Sequence, residues 1–292
     1  MRPDLLLGAI GAIELLLALL PLAVLTAIAV VALRPAGERT IAKWAAAHQV
    51  TLSDRSTPLV ARYLTRARRW RTLGTVAGIV VPTLMTVTGS PRPGFWQAVL
   101  VGYLLGAALA ELTRPDPAGA TRTATLVPRR LEDYIARSAV TWVRALAVAS
   151  VVAAVMRMVV PLDARWRDDA PTVGTFVIAA LACIAVAIVT EAAARRIVAR
   201  PQRFEAADML AADDAIRSAS VHTVVGAGLA LLLLVVGNQF LQVGVSTDPQ
   251  LLRWTLPWVG IACTIGSIGA WLSTAHPRHW RVTRGATEAL AL

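Results

Sequence analysis

Lysine is almost missing from this chain: of its 29 basic residues, Lys43 alone is not arginine. A Schiff-base cofactor held inside a helical bundle needs a lysine within an apolar span, and Lys43 falls in a polar gap, so retinal-type chemistry is excluded. Cysteine is scarce too. Cys183 and Cys263 both lie in apolar stretches, which leaves no loop thiol for a disulfide framework and no thiol set for a structural metal. Charge is thin, at 16% of residues, where a soluble domain carries about a quarter. With 56% hydrophobic residues and a mean hydropathy of +0.60, lipid rather than water is the expected solvent. A Walker lysine motif, HExxH and GxSxG are all missing, so the chain reads as non-enzymatic with no cofactor or metal implied.

What is present is a series of apolar runs. A transmembrane helix needs roughly 20 apolar residues to cross a core about 30 Å thick. Seven stretches qualify: 5–33, 73–88, 95–112, 139–161, 172–193, 221–241 and 255–274. The first is too long for the apolar core of a signal peptide and reads as a helix that is kept. Gly89, Pro91, Pro93 and Gly94 separate the second and third. The expected architecture is all-α: a single membrane domain over 1–292, built as a polytopic bundle of seven helices. Cytoplasmic amphipathic segments are expected at 34–71, 113–138 and 194–220.

Basic residues of cytoplasmic loops orient such a bundle. Gap 34–71 holds nine of them, gaps 113–138 and 194–220 five each, and the tail after 274 three. The alternate gaps hold only Arg2, Arg92, Arg165, Arg167 and Arg253. Every gap agrees on the N-terminus outside and the C-terminus inside. The net charge of +11 is thereby accounted for without nucleic acid. The near-exclusive use of arginine, with much Ala, Val and Gly, points to a high-GC genome and a bacterial inner membrane.

An offset of 80 residues aligns Asp133, Arg137, Ser138 and Ala139 with Asp213, Arg217, Ser218 and Ala219, Glu111 with Glu191, and Cys183 with Cys263. Tyr63-Leu64-Thr65-Arg66 echoes Tyr134-Ile135-Ala136-Arg137 before the second span. The unit this suggests is a cytoplasmic segment followed by a helical hairpin, used three times behind a solitary first helix. The inner-boundary positions of the repeat are Glu111, Glu191, Arg137 and Arg217, and Trp271 stands where a third glutamate would fall.

Three local patterns add detail. Between Pro58 and Arg71 an apolar stripe (Leu59, Val60, Tyr63, Leu64, Ala67, Trp70) opposes Arg62, Arg66 and Arg69, which are candidates for anionic lipid headgroups. Glu205, Asp208, Asp213 and Asp214 break the basic trend and are expected to pair with the basic first loop or be solvated. The spacings Gly74–Gly78 and Gly102–Gly106 predict close contact between the second and third spans.

Charge inside spans costs roughly 2.5–3.5 kcal/mol at the bilayer centre even on the insertion scale. Glu14 lies about 13 Å into the first span, near the midplane. Its expected partner is Arg157, then Arg144, and the three form a candidate intramembrane polar site. Glu111 and Glu191, at inner helix ends beside Arg114 and Arg195, read as interfacial.

The Arg-Pro pairs at Arg114-Pro115 and Arg200-Pro201, with the two Arg-Ser-Ala repeats, give a chain that resembles the uncharacterised multi-span membrane proteins of high-GC Gram-positive bacteria. That resemblance implies no activity. Glu191-Ala192-Ala193 is similar to the start of the EAA signature of transporter permeases, without the glycine and loop that follow it there. Repeated hairpins and a midplane carboxyl lead to the expectation of a transport-related protein, either a small transporter or the membrane subunit of a transport complex. The alternative is a signalling or scaffold protein whose cytoplasmic loops recruit a soluble partner. The expected partners are anionic lipid headgroups and a cytoplasmic ATPase or regulator.

Overall fold

The computed structural model describes residues 30, 34–87, 95–114, 130–166, 170–201 and 206–275. Among the described residues it is all-helical, with seven α-helices: α1 (Glu38–Ala47), α2 (Thr57–Val87), α3 (Phe95–Leu112), α4 (Arg137–Val159), α5 (Val173–Ala199), α6 (Ala207–Ser246) and α7 (Gln250–Ala275). Four of them, α4 to α7, are long and apolar enough to cross a membrane, and α3 is a shorter apolar helix. Apart from Val30, the stretch 5–33 with Glu14 lies outside the described residues.

Two helices join an amphipathic segment to an apolar one without a break. α2 runs from Thr57 through Arg71 into the apolar stretch, with Pro58 in its first turn, where a missing N–H costs nothing. α6 spans 40 residues, about 60 Å and so roughly twice the hydrocarbon thickness. Its opening, Ala207 to Ile216, is rich in alanine and has no proline or glycine, so nothing interrupts the helix before Arg217. In contrast, Pro115, Pro117 and Pro128 precede α4, and Arg137 is its first residue, following a 3-10 turn at Leu131–Asp133.

α6 is the axis of the bundle. It packs against α2, α3, α4, α5 and α7, while α2 pairs with α3 and α4 with α5. Of its apolar window 89% is buried, against 17–33% for α4, α5 and α7. The outer helices turn apolar stripes outward: Val148, Val152, Val155 and Val159 on α4, Leu181, Ile184 and Ile188 on α5, and Ile265, Ile268 and Leu272 on α7. Each set recurs at three- and four-residue intervals, one face of a helix. Trp96, Trp142, Trp254 and Trp258 are exposed near helix starts.

The glycine spacings meet as the sequence leads one to expect. A Cβ on Gly74 would stand 2.0 Å from the Gly102 carbonyl oxygen, and one on Gly106 would stand 2.2 Å from that of Trp70. The two backbones of the α2–α3 hairpin are therefore in direct contact, which only glycine permits. α6 and α7 approach in the same way at Gly237 and Gly260, where an added Cβ would lie 2.5–2.7 Å from the opposing carbonyl oxygen.

Positions matched by the 80-residue offset have unlike surroundings. The Arg137 side chain is 82% exposed and stands 4.0 Å from Glu132, whereas Arg217 is 3% exposed and stands 2.9 Å from Asp213. Cys183 is buried while Cys263 is partly exposed. Burial of α6 on all sides accounts for Arg217, and Cys183 faces that helix from α5.

A buried charged cluster at the arginine-rich end

The C-termini of α3 and α5, the N-terminal parts of α2 and α6, and the last turns of α7 converge at one end of the bundle. A helix C-terminus leaves carbonyl groups without partners and carries partial negative charge, so cations are stabilising there. Arginines supply them. Arg66 on α2 donates to the carbonyl oxygens of Ala110 (3.4 Å) and Thr113 and to Thr113 Oγ1 (2.8 Å). Arg200 donates to the carbonyl of Glu111 at 3.1 Å. Arg217 donates to the carbonyls of Val198 (3.0 Å) and Arg200 (2.8 Å) and to Asp213 Oδ2 (2.9 Å). Asp213 also faces Arg114 at 3.6 Å. Arg66, Arg200 and Arg217 thus close the ends of α3 and α5, joining α3 to α2, α5 to α3 and α5 to α6, while Arg114 and Asp213 link the end of α3 to α6.

Within this frame sits Glu111. It is 1% exposed, buried among protein groups rather than placed at an interface as its position at a helix end suggests. Neither carboxyl oxygen has a hydrogen-bond partner, and Ser220 Oγ and Arg71 Nε are also buried without one. The Tyr63 and Ser220 hydroxyls and the Arg71 and Arg114 guanidiniums surround it, and the two hydroxyls lie close enough to hydrogen-bond to the carboxyl after a small adjustment. Arg71 lies over the Trp271 ring at 5.5 Å, and Tyr103 meets the same ring edge-on at 5.6 Å. Arg114 lies over Tyr63 at 5.9 Å. Burial, the largest effect, pushes the Tyr63 phenol well above its usual range, so its hydroxyl is neutral.

The other expected site residues are distributed along the bundle. Glu191 binds Arg144 (2.8 Å from Nε) and Arg195 (3.2 Å), bridging α4 and α5. Arg157 donates twice to the Pro171 carbonyl, at 3.0 and 2.9 Å. With Glu14 outside the described residues, the expected Glu14 pairing lies outside them as well. Arg62 and Arg69 are exposed, while Arg66 is engaged at the end of α3. Of the acidic group, Asp208 accepts from the Ser53 hydroxyl in the first loop, which holds its carboxyl below the usual range. Asp213 instead pairs with Arg114 and Arg217, a departure from the expected pairing with the basic first loop. Glu205 lies outside the described residues.

Some polar groups carried no sequence signal. Ser150 donates to Gln239 Oε1 at 2.6 Å in the buried core, joining α4 to α6. At the opposite end of the bundle Arg253 binds Asp163 at 2.9 Å. A cleft of about 640 Å³ there is lined in part by Trp166, Asp248, Arg253 and Trp254. Among the described residues no His, Cys, Asp and Glu side chains gather in a group that could hold a metal ion.

His48, beside the N-terminal parts of α2 and α6, gives the arginine-rich end a pH dependence. It stacks on Trp44 at 4.2 Å with Nδ1 2.8 Å from the Trp44 carbonyl oxygen. Burial, the larger effect, lowers its pKa, and the carbonyl contact partly opposes this. A depressed folded pKa contributes stability that is fully present above the unfolded value of 6.5 and is lost as the pH falls from there through the folded value. The melting temperature in detergent is expected to drop on acidification below that point. His48→Gln should flatten the slope, and an unchanged slope would remove His48 from the account.

The fold and its cluster define a helical protein with several helices long and apolar enough to cross a membrane, a composition compatible with an integral membrane protein. No family model matches the chain, and no curated protein or solved structure matches it either.

Proposed function

We propose that the chain is a multi-pass protein of a bacterial inner membrane with its arginine-rich end in the cytoplasm, and that it serves transport, as a small transporter or as the membrane subunit of a transport complex. The observation that carries the membrane reading is the set of outward apolar stripes on α4, α5 and α7 around a buried α6. In water such stripes are aggregation sites; in lipid they are the expected surface. Exposed tryptophans near helix starts fit the headgroup level. The sidedness is supported by the gathering of Arg66, Arg114, Arg200 and Arg217 at one end. Arg62 and Arg69 remain candidates for anionic headgroups on that side.

The transport reading is supported by an ionisable side chain buried inside the bundle, a costly placement wherever along the bundle it lies. Glu111 meets that description among the described residues, and Glu14, with Arg157 or Arg144, remains a second candidate. One observation favours the alternative, a signalling or scaffold protein. Between Val224 and Gly237 the central helix has fourteen residues without a polar side chain, about 21 Å of apolar axis. A soluble partner bound at the arginine-rich end needs no polar route through that axis.

Co-purification from the native membrane separates the two readings. A stoichiometric ATPase retained through purification supports the transport subunit. A kinase or transcriptional regulator in its place supports the scaffold and overturns the transport reading.

A further inference from the structure

We propose that Glu111 is a proton-binding site, and that its proton determines whether the Arg71 guanidinium rests on Trp271 or on the Glu111 carboxylate. The inference goes beyond the transport-related reading and does not depend on any solute being moved.

The argument starts from two oxygens. A carboxylate taken out of water without hydrogen bonds is penalised by several kcal/mol even after the surroundings relax. The alternative is neutralisation by a proton. Glu111 has both oxygens buried and without partners, on a residue only 1% exposed. The cations around it are otherwise engaged. Arg114 is turned to Asp213 and to the Tyr63 ring. Arg200 reaches the backbone carbonyl of Glu111, not its side chain. Arg66 and Arg217 hold the ends of α3 and α5, Arg217 with Asp213 beside it. Tyr63 from α2 and Ser220 from α6 are neutral hydroxyls. A protonated carboxyl fits this arrangement as it stands, whereas an ionised one needs Arg71 or the two hydroxyls to turn to it.

Arg71 is the group that can respond. Its guanidinium faces Trp271, its Nε has no hydrogen-bond partner, and it lies close enough to influence the Glu111 charge. A cation over an indole is held weakly, whereas a hydrogen-bonded ion pair in a desolvated site is the stronger attraction. When Glu111 gives its proton to solvent water, the new carboxylate attracts Arg71 away from Trp271. When the proton returns, Arg71 goes back to the ring. Trp271 belongs to α7 and Arg71 to α2, so one proton switches a contact between the α2–α3 hairpin and the last helix.

The test is infrared spectroscopy of the full chain in lipid nanodiscs, in a Glu14→Gln background so that the other glutamate of interest is silent. At neutral pH the protein should show a carboxylic-acid C=O band that shifts with ¹³C-glutamate labelling and is missing in Glu111→Gln. The band should bleach as the pH is raised. Over the same range the Trp271 fluorescence, taken as the difference from Trp271→Phe, should change in the parent and stay constant in Glu111→Gln. Glu111→Gln, which mimics the protonated acid, should melt within a few degrees of its parent. If the labelled parent has no such band at neutral pH, Glu111 is ionised and the proposal is overturned, whether or not the variant folds. A band that bleaches while Trp271 fluorescence stays constant overturns the switch.

Discussion

Gly102→Ala is expected to abolish the folded protein or lower its stability by about 3 kcal/mol or more, the upper range for overpacking a close contact. The added Cβ would stand 2.2 Å from the Gly74 carbonyl oxygen and 2.9 Å from the Gly78 Cα and N. These are backbone atoms, so no rotamer change relieves the clash and α2 and α3 have to separate. Gly74→Ala should behave alike, with its Cβ 2.0 Å from the Gly102 oxygen. Helix propensity works in the opposite direction, since alanine is favoured over glycine by about 1 kcal/mol in a helix interior. Gly266 and Gly269 provide the control, because a Cβ there meets nothing within 4 Å. Gly266→Ala and Gly269→Ala should leave the melting temperature in detergent unchanged or slightly raised. Equal behaviour of all four variants would show that the α2–α3 contact does not stabilise the bundle.

Arg217→Met is expected to cost about 3–5 kcal/mol, the range for removing one partner of a buried ion pair. It deprives Asp213 of its closest cation and two carbonyls at the end of α5 of their donor. Arg217→Lys should recover little, because a single ammonium lacks the planar fork that reaches three acceptors at once. The offset-matched Arg137→Met should stay within about 0.5 kcal/mol of wild type, as exposed substitutions do. Thermal unfolding of the three variants checks this. Equal losses at Arg137 and Arg217 would mean that the two positions are energetically equivalent despite their surroundings.

Particular residues show why part of this was legible in the sequence. The spacings Gly74–Gly78 and Gly102–Gly106 announced the α2–α3 contact because close backbone approach demands small residues at helical intervals. The arginine gaps announced a basic end because charge has few places to go in an apolar chain. The central position of α6 was not legible from hydropathy. Lipid tails and protein interior are equally apolar, so a span facing one looks like a span facing the other. The informative sign was polar and charged residues on several faces of one helix: Asp213, Arg217, Ser220, His222 and Gln239 are all buried on α6. The place of Glu111 at a helix end suggests an interface. Its burial depends on α2 continuing unbroken past Arg71, which places Tyr63 and Arg71 around it. Reading 34–71 as a separate cytoplasmic segment hides that continuity. The pairing of Asp213 with Arg217, four residues on, was open to a helical reading of that segment.

The central proposal is that this bundle sits in a membrane with its arginine-rich end inside the cell. With Cys183 and Cys263 replaced by alanine, single cysteines at Gln250 and Glu132 test it, as both positions are exposed and they mark opposite ends. A membrane-impermeant thiol reagent added to intact cells should modify Gln250→Cys and leave Glu132→Cys untouched until the membrane is permeabilised. Labelling of Glu132→Cys in intact cells with Gln250→Cys protected would invert the orientation. Equal protection of both positions, with the protein recovered in the soluble fraction, would contradict the membrane account itself.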